Sequence, residues 1–306
     1  MINLCGLPLR TVALAAPLSL ALLSGCSDEA KPARDVASNS AQRIKDAQTA
    51  ANEAVRKQLE DENRPLSVTF SNPGMGTLDE YLNARDSMIP FNFYSAKRNW
   101  DESADEIAES VQDPIKTRSD SPEFYSLALE RISTSDAFKK RELTEKLHAL
   151  TLTDAARFKN KSLIQFTSDE WIKLPLSNYD FIRKGFSIDS CLLSDKLEYT
   201  EAEQRDPALL AKAEKIRCYL NPGPNNYYLG FTGGSSAFLE VSDEALAKNI
   251  EAMRESIQIS IYGYVKEIQR EKLGGNLGPQ RYVLIAPQRI DVVDTKNHTT
   301  LLTKSF

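Results

Sequence analysis

The most regular alternation in the chain lies towards its C-terminal end, where Ile257, Ile259 and Ile261 face one way and Gln258 and Ser260 the other. A period of two marks a half-buried strand. Just before it the period is that of a helix: Leu246, Ile250, Met253 and Ile257 form one stripe, Ser242 is the cap, and Asp243 and Glu244 place negative charge in the first turn, as the helix dipole favours. The switch falls at about Ser256, with no breaker between the two. In Tyr262-Gly263-Tyr264 the glycine predicts a bulge or a close backbone approach. Gly274-Gly275-Asn276-Leu277-Gly278-Pro279 reads as a hairpin turn and Tyr282 to Ala286 as the returning strand. Arg289 to Val293 continues it past Pro287, and Asp294 to Thr299 is the final turn. Together these predict an antiparallel meander with a helix across one face.

Upstream, Ser162 to Thr167, Tyr179 to Ile188, Cys218 to Leu220 and Tyr227 to Phe231 are rich in β-branched and aromatic residues and predict strands. The polar stretch 194–217 separates the middle two, with a short helix at Pro207 through Lys215. Asn221-Pro222-Gly223-Pro224-Asn225-Asn226 and Thr232-Gly233-Gly234-Ser235-Ser236 are turns.

The first half patterns differently. Phe124, Ala128 and Ile132 recur every four residues, and after the cap cluster Ser133-Thr134-Ser135-Asp136 the residues Leu143, Leu147 and Leu150 give a second helical face. Thr77-Leu78-Asp79-Glu80 has capping-box spacing and predicts a short helix through about Arg85. Asp101-Glu102 to Glu109 is an acidic helix candidate, while Leu66 to Phe70 is a short strand. Met88 to Trp100, dense in aromatics, fits neither period. Between Ser40 and Glu62 a thin stripe of Ile44, Ala51, Val55 and Leu59 predicts a spacer helix, ended by Pro65. The fold class is α+β: an α-helical N-terminal half, then an antiparallel β-sheet region with a packed helix. The organisation is 1–25 leader, 26–64 tether and spacer helix, 65–160 α-rich region and 161–306 β-rich region, the last two either separate or one globular domain.

Composition adds little, being 41% hydrophobic and 26% charged with a net charge of −5, without long single-sign blocks. Nothing in it calls for nucleic acid as a partner.

The N-terminal residues say more. Arg10 is followed by an apolar run, Thr11 to Leu23, that is shorter than the roughly 20 residues of a transmembrane helix and is interrupted by Pro17. It closes on Leu23-Ser24-Gly25-Cys26, which resembles the lipobox of bacterial lipoproteins position by position. The resemblance covers residues 1–26 and implies removal of the first 25 residues, acylation of Cys26 and a membrane partner reached through that lipid. Ser27 after the cysteine implies, by the same resemblance, sorting to the outer membrane of a Gram-negative envelope. Loss of Arg10 with the leader takes the net charge to −6. Residues 27–39, rich in charged and small residues, read as a tether.

Cys5 leaves with the leader and Cys26 carries the lipid, so the mature body keeps Cys191 and Cys218. An oxidising compartment favours a disulfide between them. Metal binding is the competing reading, and two cysteines with His148 and His298 as the sole histidines make a poor zinc set.

Candidate chemistry is thin. Gly233-Gly234-Ser235-Ser236 invites a serine-hydrolase reading but has Ala237 where the nucleophile motif needs glycine, so a turn accounts for it better. Gly274 to Gly278 lacks the Lys-Ser/Thr of a phosphate loop. Asp169-Glu170 and Glu201 with Glu203 sit in polar stretches, where solvated faces are the default. Asn225, Asn226, Tyr227 and Tyr228 carry the amide and ring chemistry that binds sugars, and form the one weak ligand-binding candidate. The expectation is a lipid-anchored envelope protein without a cofactor or metal, acting by binding or structural interaction, with an envelope protein as a further partner. The alternatives are an envelope hydrolase and a small-ligand or glycan-binding lipoprotein.

Overall fold

The structure, a computed structural model, describes residues 46–55, 57, 65–271 and 279–306. The chain divides into two units, Met1–Gln58 and Leu59–Phe306. In the first, residues 46–55 are helical, the central part of the predicted spacer helix. Ile44, Leu59, the tether and the lipobox with Cys26 lie outside the described residues.

The second unit opens with strands β1 (Leu66–Thr69) and β2 (Leu82–Asn83) and helices α1 (Ile89–Lys97), α2 (Ala104–Ser110), α3 (Pro122–Ser133) and α4 (Ala137–Ala156). Strands β3 (Leu163–Thr167) and β4 (Gly185–Ser187), helices α5 (Glu201–Arg205) and α6 (Pro207–Lys212), and strands β5 (Tyr227–Phe231) and β6 (Phe238–Glu240) follow. Helix α7 (Glu244–Ala252) leads into β7 (Ile257–Glu271), β8 (Gln280–Asp294) and β9 (Thr299–Ser305). The architecture is α+β, with helices in the first half and strands concentrated in the second.

The organising element is the β7–β8 pair, antiparallel from Ile257↔Asp294 to Glu271↔Gln280. Each of its outer edges carries two strands end to end. On β7, β3 pairs with residues 260–264 and β1 with 267–270. On β8, β5 pairs with 281–285 and β9 with 289–294. Strand β2 extends the sheet beyond β3, giving seven strands.

The C-terminal meander is present, with β7, β8 and β9 pairing antiparallel in order, but the antiparallel sheet expected for the whole β-rich region is corrected to a mixed one. β2 runs parallel to β3 and β5 parallel to β8. Parallel neighbours need a crossover, and the four helices between β2 and β3 and the α7–β7 segment between β5 and β8 supply them. Strand β9 was not legible in the sequence. Pro287 does not break β8, because it falls between the residues that pair with β5 and those that pair with β9, beside a register shift at Tyr262/Gly263. Both readings of Gly263 hold at once: it flanks that bulge, and a Cβ there would meet the Ala286 carbonyl oxygen at 2.5 Å.

One sheet face, with Phe166, Ile259, Ile261, Val265, Val283 and Ile285 fully buried, is covered by the helical layer. Helix α1 packs on β5 and β8, and α4 packs on α1, α2 and α3. Residues Ile89 to Tyr94 of α1 are all buried, which is why this stretch showed no period: a helix apolar on every side is a core helix. Its rings set edge-to-face contacts, Phe91 with Phe124 at 5.0 Å and with Tyr227 at 4.8 Å.

Other expectations are corrected locally. The capping box at Thr77–Glu80 is present, but it opens a single 3₁₀ turn, Leu78–Glu80. Tyr81 is then drawn beneath Tyr262, and Leu82–Asn83 pair with β3, so no helix reaches Arg85. Helix α3 buries Arg131 in place of Ile132, because the guanidinium bonds to Thr144 and to the Ala108 carbonyl. Tyr179 to Ile188 is not one strand. It forms the tip and return of a hairpin, with bridges Leu176↔Ile188 and Asp180↔Gly185. Cys218 to Leu220 contributes one bridge, Leu220↔Leu229. Helix α7 is capped by Asp243, whose carboxylate accepts from Ala245 and Leu246, and it lies beside the 174–188 hairpin, where Glu251 accepts the Tyr179 amide. The hairpin turn at Gly274–Gly278 lies outside the described residues.

Candidate functional site

Because β2 and β3 run parallel, their C-terminal ends emerge side by side, one carrying Arg85 and the other Ser168-Asp169. Asp169 folds the chain back at once. Its Oδ1 accepts the amides of Trp171 and Ile172, each at 2.8 Å, and its Oδ2 lies 2.5 Å from Arg85 Nη1. These hydrogen bonds, the Ile172 amide foremost, and the Arg85 charge hold the Asp169 carboxyl below its ordinary pKa. Arg85 in turn donates Nε to the Thr167 carbonyl and stacks over the Phe166 ring at 5.6 Å. The turn so fixed presents Trp171, 89% exposed.

Facing this turn across a cavity of about 530 Å³ are Ser190 to Leu192 and Cys218 to Pro222. Cys191 and Cys218 are joined in a disulfide, 27 positions apart in sequence. The Cys218 amide donates to the Cys191 carbonyl, and Arg217 ties back to the Ser194 carbonyl and to Asp195. The 194–217 excursion, with α5 and α6, is therefore closed at its neck, and that neck forms one wall of the cleft. Buried Ala84, Phe166, Leu192 and Leu220 make the floor, and Trp171, Lys173, Arg85 and Asn221 also line the cavity. The volume falls in the range of small-molecule sites, and the lining combines rings, two cations and an amide. On the far side of the same turn a second cavity of about 610 Å³ is lined by Asp169, Glu170, Arg254 and Glu255 and shares Lys173.

The four residues of the weak ligand-binding candidate are not brought together. Tyr227 points into the core, 1% exposed, with its hydroxyl 2.7 Å from Ser110 Oγ, and burial raises its pKa. Tyr228, next in the strand, points to the opposite face and stacks on Tyr282 at 5.5 Å, with Tyr219 against the same ring at 4.8 Å. Asn226 takes a left-handed turn conformation, and its carbonyl accepts the Arg281 amide. Asn225 is half-buried in the turn.

In the Gly233-Gly234 turn, the amides that an oxyanion would require already donate to the Asp195 carboxylate, at 3.1 and 2.6 Å. His148 is on α4 and His298 in the β8–β9 turn. Among the described residues no group of three His, Cys, Asp or Glu is gathered as for a metal ion, and no helix is long and apolar enough to cross a membrane.

Trp171, Arg85 and Lys173 were missed in the sequence. The one available signal was Ser168-Asp169-Glu170-Trp171, an Asx-turn start followed by a large ring in an otherwise polar stretch.

No family model, curated protein or solved structure matches this chain.

Proposed function

We propose that this chain is a cell-envelope lipoprotein, held by an acylated Cys26 on the periplasmic face of the outer membrane, whose folded body acts by binding. The lipobox-like Leu23-Ser24-Gly25-Cys26 supports the anchor. The observation that carries the binding reading is the cleft beside the disulfide, where the Trp171 indole and the Lys173 ammonium line a cavity with a buried apolar floor. Such a lining takes a small ligand with an apolar or planar body and an anionic group: the ring and floor bury the body, and Lys173 receives the charge.

The test is native mass spectrometry of the protein extracted from its own envelope in mild detergent. The wild-type chain should retain a non-covalent ligand, and the Trp171→Ala/Lys173→Ala variant should lose it. The same preparation reads the anchor, since Cys26→Ser should move the protein from the membrane pellet to the soluble fraction. A wild-type spectrum free of ligand, or a variant that keeps it, removes the cleft from the proposal. A Cys26→Ser protein that still sediments with membranes removes the anchor.

A further inference from the structure

The hairpin that begins at Leu174 ends in a four-residue tip, Phe181-Ile182-Arg183-Lys184, all of it exposed. Phe181 is 80% and Ile182 94% exposed, adjacent large apolar side chains at the most protruding point of the hairpin. Disorder does not account for this. Asp180 and Gly185 exchange both backbone hydrogen bonds across the neck, at 2.8 and 3.2 Å, and Asp180 Oδ1 accepts the amides of Ile182 and Arg183 at 2.8 and 2.9 Å. Lys184 closes the turn in the left-handed region, with φ at 52°. The Phe181 ring is steadied at its edge by Tyr179, 5.0 Å away, and the Arg183 guanidinium lies 3.7 Å from the centroid of the Phe238 ring. The neck hydrogen bonds and the Asp180 carboxylate thus fix a turn that leaves both apolar side chains exposed.

Leaving them in water forgoes the burial that most large apolar side chains find. Two readings restore it, a protein partner and a lipid surface. A stable protein interface needs about 800 Å² from each partner, and two side chains on a narrow tip fall far below that. A bilayer makes no such demand. An interfacial segment needs only to sink its apolar atoms about 5–10 Å, with basic side chains beside them at the headgroups. Arg183 and Lys184 stand in that position, while Asp180 is consumed by the turn amides. The acidic groups beside Phe181 are Glu244 and Glu251 of α7, with Lys248 between them, and Glu251 is already engaged by the Tyr179 amide and Arg254.

We infer that the Phe181-Ile182 tip is a second membrane contact, dipping into a phospholipid bilayer with Arg183 and Lys184 at the phosphates. The inference rests on the lipid-anchor reading for its strength: a tip this small binds weakly alone, and a tether from Cys26 raises its effective concentration at the membrane. The two contacts together orient the body on the surface, where the lipid at Cys26 alone would leave its orientation unset.

The experiment uses the full lipidated chain with an environment-sensitive fluorophore on Ile182→Cys, and in a parallel sample on Ser135→Cys before α4. Cys191 and Cys218 are paired and Cys26 is acylated in this reading, so each sample offers one free thiol. In protein-free vesicles of phosphatidylethanolamine and phosphatidylglycerol, the probe at 182 should shift to the blue and lose its quenching by aqueous iodide. The probe at 135 should do neither, and adding Phe181→Ser should restore quenching at 182. Equal iodide access at both positions, in protein that sediments with the vesicles, overturns the tip and leaves the anchor standing. Protein that fails to sediment convicts the anchor, and excess vesicles then read the tip on their own: shielding at 182 supports it and free access overturns it. Shielding that appears only with envelope extract, never with protein-free vesicles, overturns the lipid reading in favour of a protein partner.

Discussion

Arg281 Nε lies 3.2 Å from both carboxylate oxygens of Glu102, and both side chains are buried, Glu102 completely. The pair joins the chain entering α2 to the central strand β8, and so fastens the helical layer to the sheet. Tyr94 donates its hydroxyl to the same carboxylate at 2.7 Å, Arg270 approaches it at 3.1 Å, and the Tyr94 and Tyr227 rings flank the Arg281 guanidinium. Burial first, then the Glu102 charge, pushes the Tyr94 hydroxyl well above the ordinary tyrosine pKa, so it remains a donor.

Removing one member strands the other's charge in the interior, which costs about 3–5 kcal/mol. Glu102→Met should therefore lower stability by about that amount in urea denaturation. The double variant Glu102→Met/Arg281→Met should lose less than the single one, because no uncompensated pair member remains. Equal losses would mean that packing around Glu102, and not its charge, is what the first substitution damages.

The Cys191–Cys218 bond closes the 194–217 excursion. For a loop of this length the chain-entropy model assigns about 3–4 kcal/mol. Cys191→Ser/Cys218→Ser should shift the denaturation midpoint accordingly and open cleavage by trypsin at Arg205, Lys212 or Lys215, while sites in α4 stay protected. An unchanged midpoint under oxidising conditions would show that the hydrogen bonds at the neck suffice without the bond.

Asp169 gives the turn carrying Trp171 a defined acid response. A carboxylate whose folded pKa is depressed stabilises the fold fully above its unfolded pKa, about 3.9, and that contribution is lost as pH falls through the lower folded value. Trp171 emission, recorded with Trp100→Phe as background, should hold steady from neutral pH down to about pH 4 and change only below it. Asp169→Asn should remove this transition. A change centred in the histidine range would assign the turn's stability to another group.

Much of this fold was legible because it is local. The α7–β7 switch near Ser256, the bulge at Gly263, the return strand from Tyr282 and the helices at Phe124 and Leu143 rest on periods and turn chemistry that neighbouring residues supply. The Cys191–Cys218 pairing followed from the lipobox resemblance, which assigns Cys5 to a leader and Cys26 to a lipid and so leaves these two. The site was less legible. Tyr227 and Tyr228 look alike in sequence, yet strand alternation sends one into the core and the other to the open face.

The sequence by itself determined the α+β order, the two cysteines left to pair and the resemblance to a lipobox around Cys26. Only the tertiary structure decided that β2 and β3 lie parallel, that Arg85 meets Asp169 and so fixes the Trp171 turn across a cavity from the disulfide, and that Glu102 is buried against Arg281 instead of lining an acidic solvent face. Each of these joins residues tens to nearly two hundred positions apart. Local propensity says nothing of such contacts, because they are fixed by which burial and charge pairing the assembled sheet and helical layer leave available.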